Sequence, residues 1–181
     1  MVTTGFTFNG VHSEHYGIVV NPSQRIIFPE KRRIMTDVPG RSGYHVYTDG
    51  TFLPRQETFH CYFKKPAEIS LADAARNIAL WLNAENAQLI FDNEPDKFYY
   101  AFVIGALPQE RHLKYGEFDL TFCYSPPFAY TEMKEIVMII TSNTGEIQIP
   151  VIGTADTPVR ITIRNIGNKV INNIRVIRKV Q

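Results

Sequence analysis

His12-Ser13-Glu14-His15 sets two imidazoles three residues apart, a spacing that holds zinc when both lie on one helical face. The local sequence reads as a turn and offers no third ligand of matching spacing. Two exposed turn histidines are therefore expected, and no metal site is assigned. Asp92-Asn93-Glu94-Pro95-Asp96 gathers carboxylates suited to a hard cation, but it lacks the spaced ligands and central glycine of a calcium loop. It reads as a turn. Pro39-Gly40-Arg41-Ser42-Gly43 is glycine-rich and basic, yet no Lys-Ser or Lys-Thr pair and no helix follow it, as a phosphate loop requires. Cys61 and Cys123 fall inside strand patterns rather than at a helix N-terminus, where a thiolate would be stabilised. Lys31-Arg32-Arg33 is short and flanked by Glu30 and Asp37, which suits a solvated face better than a nucleic-acid patch. No catalytic residue and no cofactor are assigned, and the chain does not read as an enzyme.

The elements that would position these groups are mainly strands. Thr4–Asn9 alternates Phe6 and Phe8 against Thr7, and Asn9-Gly10 then turns the chain. Tyr16–Val20 and Arg25–Phe28 are short strand candidates on either side of Asn21-Pro22-Ser23. Arg55–Lys64 puts Phe59, Cys61 and Phe63 on one face and Thr58, His60, Tyr62 and Lys64 on the other. Phe98–Ile104 is more continuously apolar, as a strand covered on both faces would be. Glu117–Tyr124 alternates Phe118, Leu120, Phe122 and Tyr124 with Glu117, Asp119, Thr121 and Cys123. One helix interrupts the strands, from Leu71 to about Asn83. Ser70 is its expected N-cap, with Asp73 placed to reach back. Leu71, Ala74, Ala75, Ile78 and Leu82 form its apolar stripe, and Trp81 borders that stripe as an anchor on the sheet.

Composition divides the chain. All the aromatics, 12 Phe, 9 Tyr and one Trp, precede residue 131. Residues 1–130 carry 12 basic and 14 acidic side chains; residues 131–181 carry 7 and 4. The net charge of +1 over 181 residues does not match the basic excess of a nucleic-acid binder. No apolar run approaches the ~20 residues of a membrane-spanning helix. Nor does the N-terminus read as a secretory signal, and two cysteines make no disulfide framework. A boundary is expected near Pro126-Pro127. Beyond it, Ile136–Thr141, Glu146–Ile152, Pro158–Arg164 and Val170–Ile177 read as aliphatic strands joined by turns at Asn143-Thr144-Gly145, Gly153 and Asn165-Ile166-Gly167-Asn168. Four such strands without an aromatic bury little surface of their own.

Several segments, in order, resemble the distal tail protein (Dit) family of siphophages and prophages. They are Gly5-Phe6-Thr7-Phe8-Asn9-Gly10-Val11-His12-Ser13, Tyr16-Gly17-Ile18-Val19-Val20, Val38-Pro39-Gly40-Arg41-Ser42-Gly43, and the helix end Ala79-Leu80-Trp81-Leu82. Leu89-Ile90-Phe91-Asp92-Asn93-Glu94-Pro95-Asp96-Lys97-Phe98-Tyr99 follows, then Gly116-Glu117-Phe118, Leu120-Thr121-Phe122 and Pro127-Phe128-Ala129-Tyr130. The resemblance implies a mainly β (α+β) chain: a split-barrel or β-sandwich N-terminal domain with one helix over 1–130, forming a ring. It implies an incomplete, truncated galectin-like β-sandwich over 131–181. It further implies a homo-oligomer, a hexameric ring joining the tail-tube protein to the tail-tip or tail-associated protein. Its place would be the virion tail tip after synthesis in the bacterial cytoplasm, with no membrane partner and no specific nucleic acid. DNA would pass through the ring, and the slightly acidic 1–130 segment suits a wall that does not retain phosphates.

A ring subunit needs complementary surfaces on each copy. Residues 39–54 fit, with Arg41 as a polar clamp and Tyr44, Tyr47 and Phe52 as amphipathic anchors; Tyr and Arg are enriched at interface centres. An ordinary loop folded back on its own core is the competing reading. Two rivals of other classes are a carbohydrate-binding β-sandwich module acting in host adhesion and a small hydrolase. The first calls for exposed aromatics after residue 130, and there are none; the second calls for a nucleophile–base pair, and none stands out.

Overall fold

The computed structural model describes residues 5–21, 26–64, 68–105, 110–111, 115–140, 148–149, 153–155, 157–170 and 174–177. Its elements are β1 (Phe6–Phe8), β2 (Val11–His12), a 3-10 turn (Ser13–Tyr16), β3 (Ile18–Val20), β4 (Lys31–Asp37), β5 (Tyr44–Phe52), β6 (Arg55–Lys64), α1 (Leu71–Leu82), β7 (Ala87–Phe91), β8 (Tyr99–Ile104), β9 (Glu110–Arg111) and β10 (Tyr115–Tyr124). The main sheet curls into a half-barrel in the order β2-β1-β7-β8-β10-β6-β3, with β9 added beside β10. Every pairing is antiparallel. A second sheet consists of β4 and β5 alone.

The alternation read from the sequence is what builds the half-barrel. β6 and β10 pair along their whole length, Arg55 opposite Tyr124 through Lys64 opposite Tyr115. That register puts Phe59, Cys61, Phe63, Phe118, Leu120 and Phe122 on the buried face together. Gly116 lies opposite Phe63, and a Cβ there would run into the Phe63 ring. At the β1–β2 turn Asn9 and Gly10 both take positive φ (49° and 78°), as a tight hairpin turn requires.

Helix α1 closes the concave side. Ser70 caps it by accepting from the Asp73 N–H, and its hydroxyl donates back to the Asp73 carboxylate at 2.6 Å. That bond and the Arg76 guanidinium hold the Asp73 carboxyl below its ordinary value. Ala74, Ile78, Trp81 and Leu82 are buried against the sheet. Trp81 stacks on Phe6 and on Tyr16, and its indole N–H donates to the Phe8 carbonyl at 2.9 Å. The polar end of the ring is thus satisfied inside the core.

Three expectations change. Residues 26–28 form no strand; Ile26, Ile27 and Phe28 stand 43%, 98% and 63% exposed just before β4, so most of their apolar surface gains no burial that would reward pairing. The strand expected over Tyr16–Val20 starts only at Ile18, because Tyr16 closes the 3-10 turn that Ser13 opens and Gly17 ends that turn at φ 65°, where a Cβ would meet the Lys64 carbonyl at 2.5 Å. β8 is buried on one face and half-buried on the other.

The chain divides into two units, Met1–Met138 and Ile139–Gln181. In the first, Tyr130 pairs with Phe98 through both backbone hydrogen bonds. In the second, a turn forms where it was expected: Asn165 accepts from the Gly167 N–H and donates to the Lys169 carbonyl, both at 2.9 Å. Among the described residues of 131–181 none belongs to a strand, contrary to the four strands of the expected partial sandwich. Ile161, Ile163, Ile174 and Val176 are exposed there. β-Branched alternation needs both a pairing partner and a cover, and the described residues supply neither. The expected strand at 146–152 falls largely outside the described residues.

Candidate functional site

The β4–β5 pair stands apart from the half-barrel as a two-stranded arm. Its register sets Arg33 opposite Thr48, Ile34 opposite Tyr47, Met35 opposite Val46, Thr36 opposite His45 and Asp37 opposite Tyr44. Alternation then gives one face with Ile34, Thr36, His45 and Tyr47, and another with Arg33, Met35, Asp37, Tyr44, Val46 and Thr48. Both faces are apolar at their centres, and both are open to solvent: Ile34 is 67% exposed, Met35 58%, Tyr44 64% and Tyr47 57%. An isolated ribbon of this kind is marginal in water, and apolar side chains on both sides call for a cover. At the tip, Gly40 and Gly43 take positive φ (82° and 83°) around the exposed Arg41, whose N–H donates to the Val38 carbonyl at 3.1 Å.

The arm's root is held firmly. Phe52 is half-buried and packs edge-on against Phe28 and Phe128, with the Lys31 ammonium 5.8 Å from its ring centre. Of the expected interface set, Arg41, Tyr44 and Tyr47 lie on the exposed arm, whereas Phe52 belongs to its foundation. A register shift opposite Arg32 puts Asp49-Gly50-Thr51 into a bulge, closed by Thr51 N–H and Oγ1 donating to the Asp49 carboxylate at 2.9 and 2.7 Å. Those two bonds lower the Asp49 pKa.

Beneath the root lies a polar cluster that the sequence reading passed over. Glu57 is buried, 3% exposed, and among the described residues its carboxylate gathers four donors. Arg55 donates through Nε at 3.0 Å and through Nη2, the Ile26 N–H donates at 2.8 Å, and the Tyr124 hydroxyl donates at 2.8 Å. The Arg55 guanidinium lies 5.0 and 5.6 Å from the ring centres of Tyr124 and Tyr99. The cluster therefore ties the chain entering the arm to β6, β8 and β10. The signal was present: continuing the buried alternation of Phe63, Cys61 and Phe59 by one step puts Glu57 on the inward face.

The other candidate residues are dispersed. His12 Nδ1 accepts from the Glu14 N–H at 3.2 Å, so its Nε2 carries the proton toward Asp92 at 3.1 Å. Asp92 also accepts from the Gly5 N–H at 2.7 Å. His15 instead meets Tyr16 edge to face. Glu94 pairs with Lys97 at 3.2 Å, and that bond raises the Lys97 pKa. Among the described residues no three His, Cys, Asp or Glu side chains converge as a metal site. Nor, among them, is any helix long and apolar enough to cross a membrane. Cys61 is fully buried on the inward face of β6, and burial pushes its thiol up to about 12. Burial also raises Cys123. A soluble alkylating reagent at about pH 8, near the ordinary thiol value, is expected to leave Cys61 unmodified in the folded protein. Peptide mapping that finds Cys61 labelled as fast as in the unfolded chain refutes this.

The half-barrel with helix α1 has the fold of a solved phage protein. It superposes on the Dit protein (gp 19.1) of phage SPP1, described as a paradigm of the hub adsorption apparatus in phages infecting Gram-positive bacteria, with a TM-score of 0.61 at 15% identity. The match covers 71% of this chain and 52% of that one, so the chain spans about half the length of that protein. No curated protein matches the sequence. Residues 12–124 match the phage tail protein RIFT-related domain family, and the chain belongs to that family. It is thus a phage tail component with a tail-hub fold, as the ordered motifs implied.

Proposed function

We propose that this chain is a structural, non-enzymatic subunit of a siphophage tail tip, assembling as a hexameric ring between the tail tube and the tip or tail-associated protein. Residues 1–130 build the ring in this reading. Residues 131–181 contribute strands of a peripheral β-sandwich, their alternating aliphatics turned inward once paired. The observation that carries it is the β4–β5 arm, apolar on both faces and exposed on both while its root is locked in place. A subunit that closes a ring by heterologous contact needs two complementary surfaces, and an uncovered apolar arm supplies one of them. Arg41, Tyr44 and Tyr47 are its contact residues. A carbohydrate-binding reading lacks support, because residues 131–181 contain no aromatic platform.

Electron microscopy of the purified chain, with light scattering beside it, tests the reading. A ring with a wide central channel supports it, and a strict monomer at high concentration refutes it. Replacing Tyr44 and Tyr47 together by alanine is expected to weaken assembly by about tenfold or more, since buried tyrosines dominate interface energies. The melting temperature should barely move, because both side chains are exposed in the single chain. Unchanged mass at every concentration would remove these residues from the interface.

A further inference from the structure

Resting on the ring reading, we infer where the arm lands: the Arg33–Met35–Asp37 face of one copy lies on the outward face of β6 and β10 of the next. Arg33 sits over the His60–Asp119 pair, Met35 over Tyr62 and Val19, and Asp37 over Lys64.

A cyclic ring joins two different surfaces of each copy, so the arm needs an acceptor elsewhere on the same chain. The buried alternation of β6 turns Thr58, His60, Tyr62 and Lys64 outward, and the register brings Thr121, Asp119 and Glu117 of β10 beside the first three. This face is already ordered. Thr58 and Thr121 share a hydrogen bond at 2.9 Å, and His60 Nδ1 meets Asp119 at 2.8 Å. His60 also stands edge-on to Tyr62, and Val19 of β3 lies opposite Tyr62. It is exposed as well: Tyr62 is 38% accessible, Val19 40%, and the Asp119 side chain 64%.

The two surfaces carry opposite patterns at the same spacing. Along β4, every second residue reads cationic, apolar, anionic: Arg33, Met35, Asp37. Along the outward face of β6, every second position reads acidic at Asp119 beside His60, aromatic at Tyr62 with Val19 on one side and the Glu117 carboxylate on the other, and cationic at Lys64. Because both are strands, each step is about 6.6 Å on either side, so three matches form together in parallel register. Val46 and Tyr44 of β5 widen the apolar centre. Exposed ion pairs contribute little individually, so the apolar centre supplies affinity and the charges select the register. Reversing a charge, which adds repulsion, is then more telling than removing one.

The test compares the parent chain with Arg33→Glu, Asp119→Lys and the double variant by light scattering over a concentration series. Each single reversal is expected to raise the concentration of half-assembly by about tenfold or more, and the double variant to recover most of the loss. Single variants within about twofold of the parent, or a double variant no better than the singles, overturn the docking register while leaving the ring reading intact. A parent chain that never assembles overturns both. Circular dichroism melting reports whether each variant is folded. Should Asp119→Lys unfold by losing its His60 contact, Asp37→Lys and Lys64→Glu probe the far end of the same register, with the same expected losses and rescue.

Discussion

Replacing Glu57 by alanine is expected to cost the first unit about 3–5 kcal/mol of stability, the range for breaking a buried ion pair from one side. The carboxylate is buried and receives Arg55, the Ile26 N–H and the Tyr124 hydroxyl. Without it the Arg55 guanidinium, whose side chain is 9% exposed, stays between Tyr99 and Tyr124 with its charge uncompensated. The Tyr124 hydroxyl and the Ile26 N–H lose this acceptor too. Glu57→Gln keeps the shape and one acceptor oxygen, so a smaller loss of about 1–3 kcal/mol is expected. Urea unfolding followed by tyrosine and tryptophan signals measures both, as a lower midpoint at unchanged slope. A loss under about 1 kcal/mol for Glu57→Ala would show that the pair contributes little net stability. Because the Ile26 contact fixes the chain entering β4, the same variant is expected to loosen the arm's root.

Phe122→Ala should destabilise the same unit by about 3–5 kcal/mol, the cost of emptying a large aromatic site in a packed core. Phe122 is fully buried near the C-terminal end of β10, with Phe6, Phe8 and Phe59 centred 5.3, 5.4 and 6.2 Å away. Those neighbours come from β1 and β6, so the void opens between strands that meet only through the fold. Leu80, 78% exposed on the outer side of α1, is the matched control; its replacement by alanine should change stability by less than about 0.5 kcal/mol. Equal losses at the two positions would mean that the helix and the sheet are not packed as described.

Legibility in the sequence followed burial. β6 and β10 were plain because each has one face inside and one outside, and their polar and apolar residues alternate without interruption. Helix α1 was equally plain, since Ser70, Asp73 and the Ala74–Ile78–Leu82 stripe are local signals at fixed spacing. The arm was not legible as strands. Ile34, Met35, Val46 and Tyr47 put apolar groups on both faces, so the period-two contrast cancels. The arm's candidate role was legible all the same, from the glycine flanks and the Arg41, Tyr44 and Tyr47 side chains within residues 39–54. Arg55–Glu57 was missed for a different reason. Its meaning depends on Tyr124 and Ile26, which are 67 and 31 residues from Glu57 along the chain.

The sequence by itself determined the class of the first unit: a β-rich fold with one capped helix, an aromatic interior and ordered motifs of a phage tail protein. Periodicity, capping and turn chemistry are local, and each acts over a few residues wherever the chain goes. Only the tertiary structure decided that β1 pairs with β7 and β6 with β10, that Phe52 anchors the arm while Tyr44 and Tyr47 leave it, and that a buried carboxylate secures its root. Those outcomes depend on which distant faces share one core, and the single chain's alternation is compatible with several pairings until burial of Phe122 and its neighbours selects one.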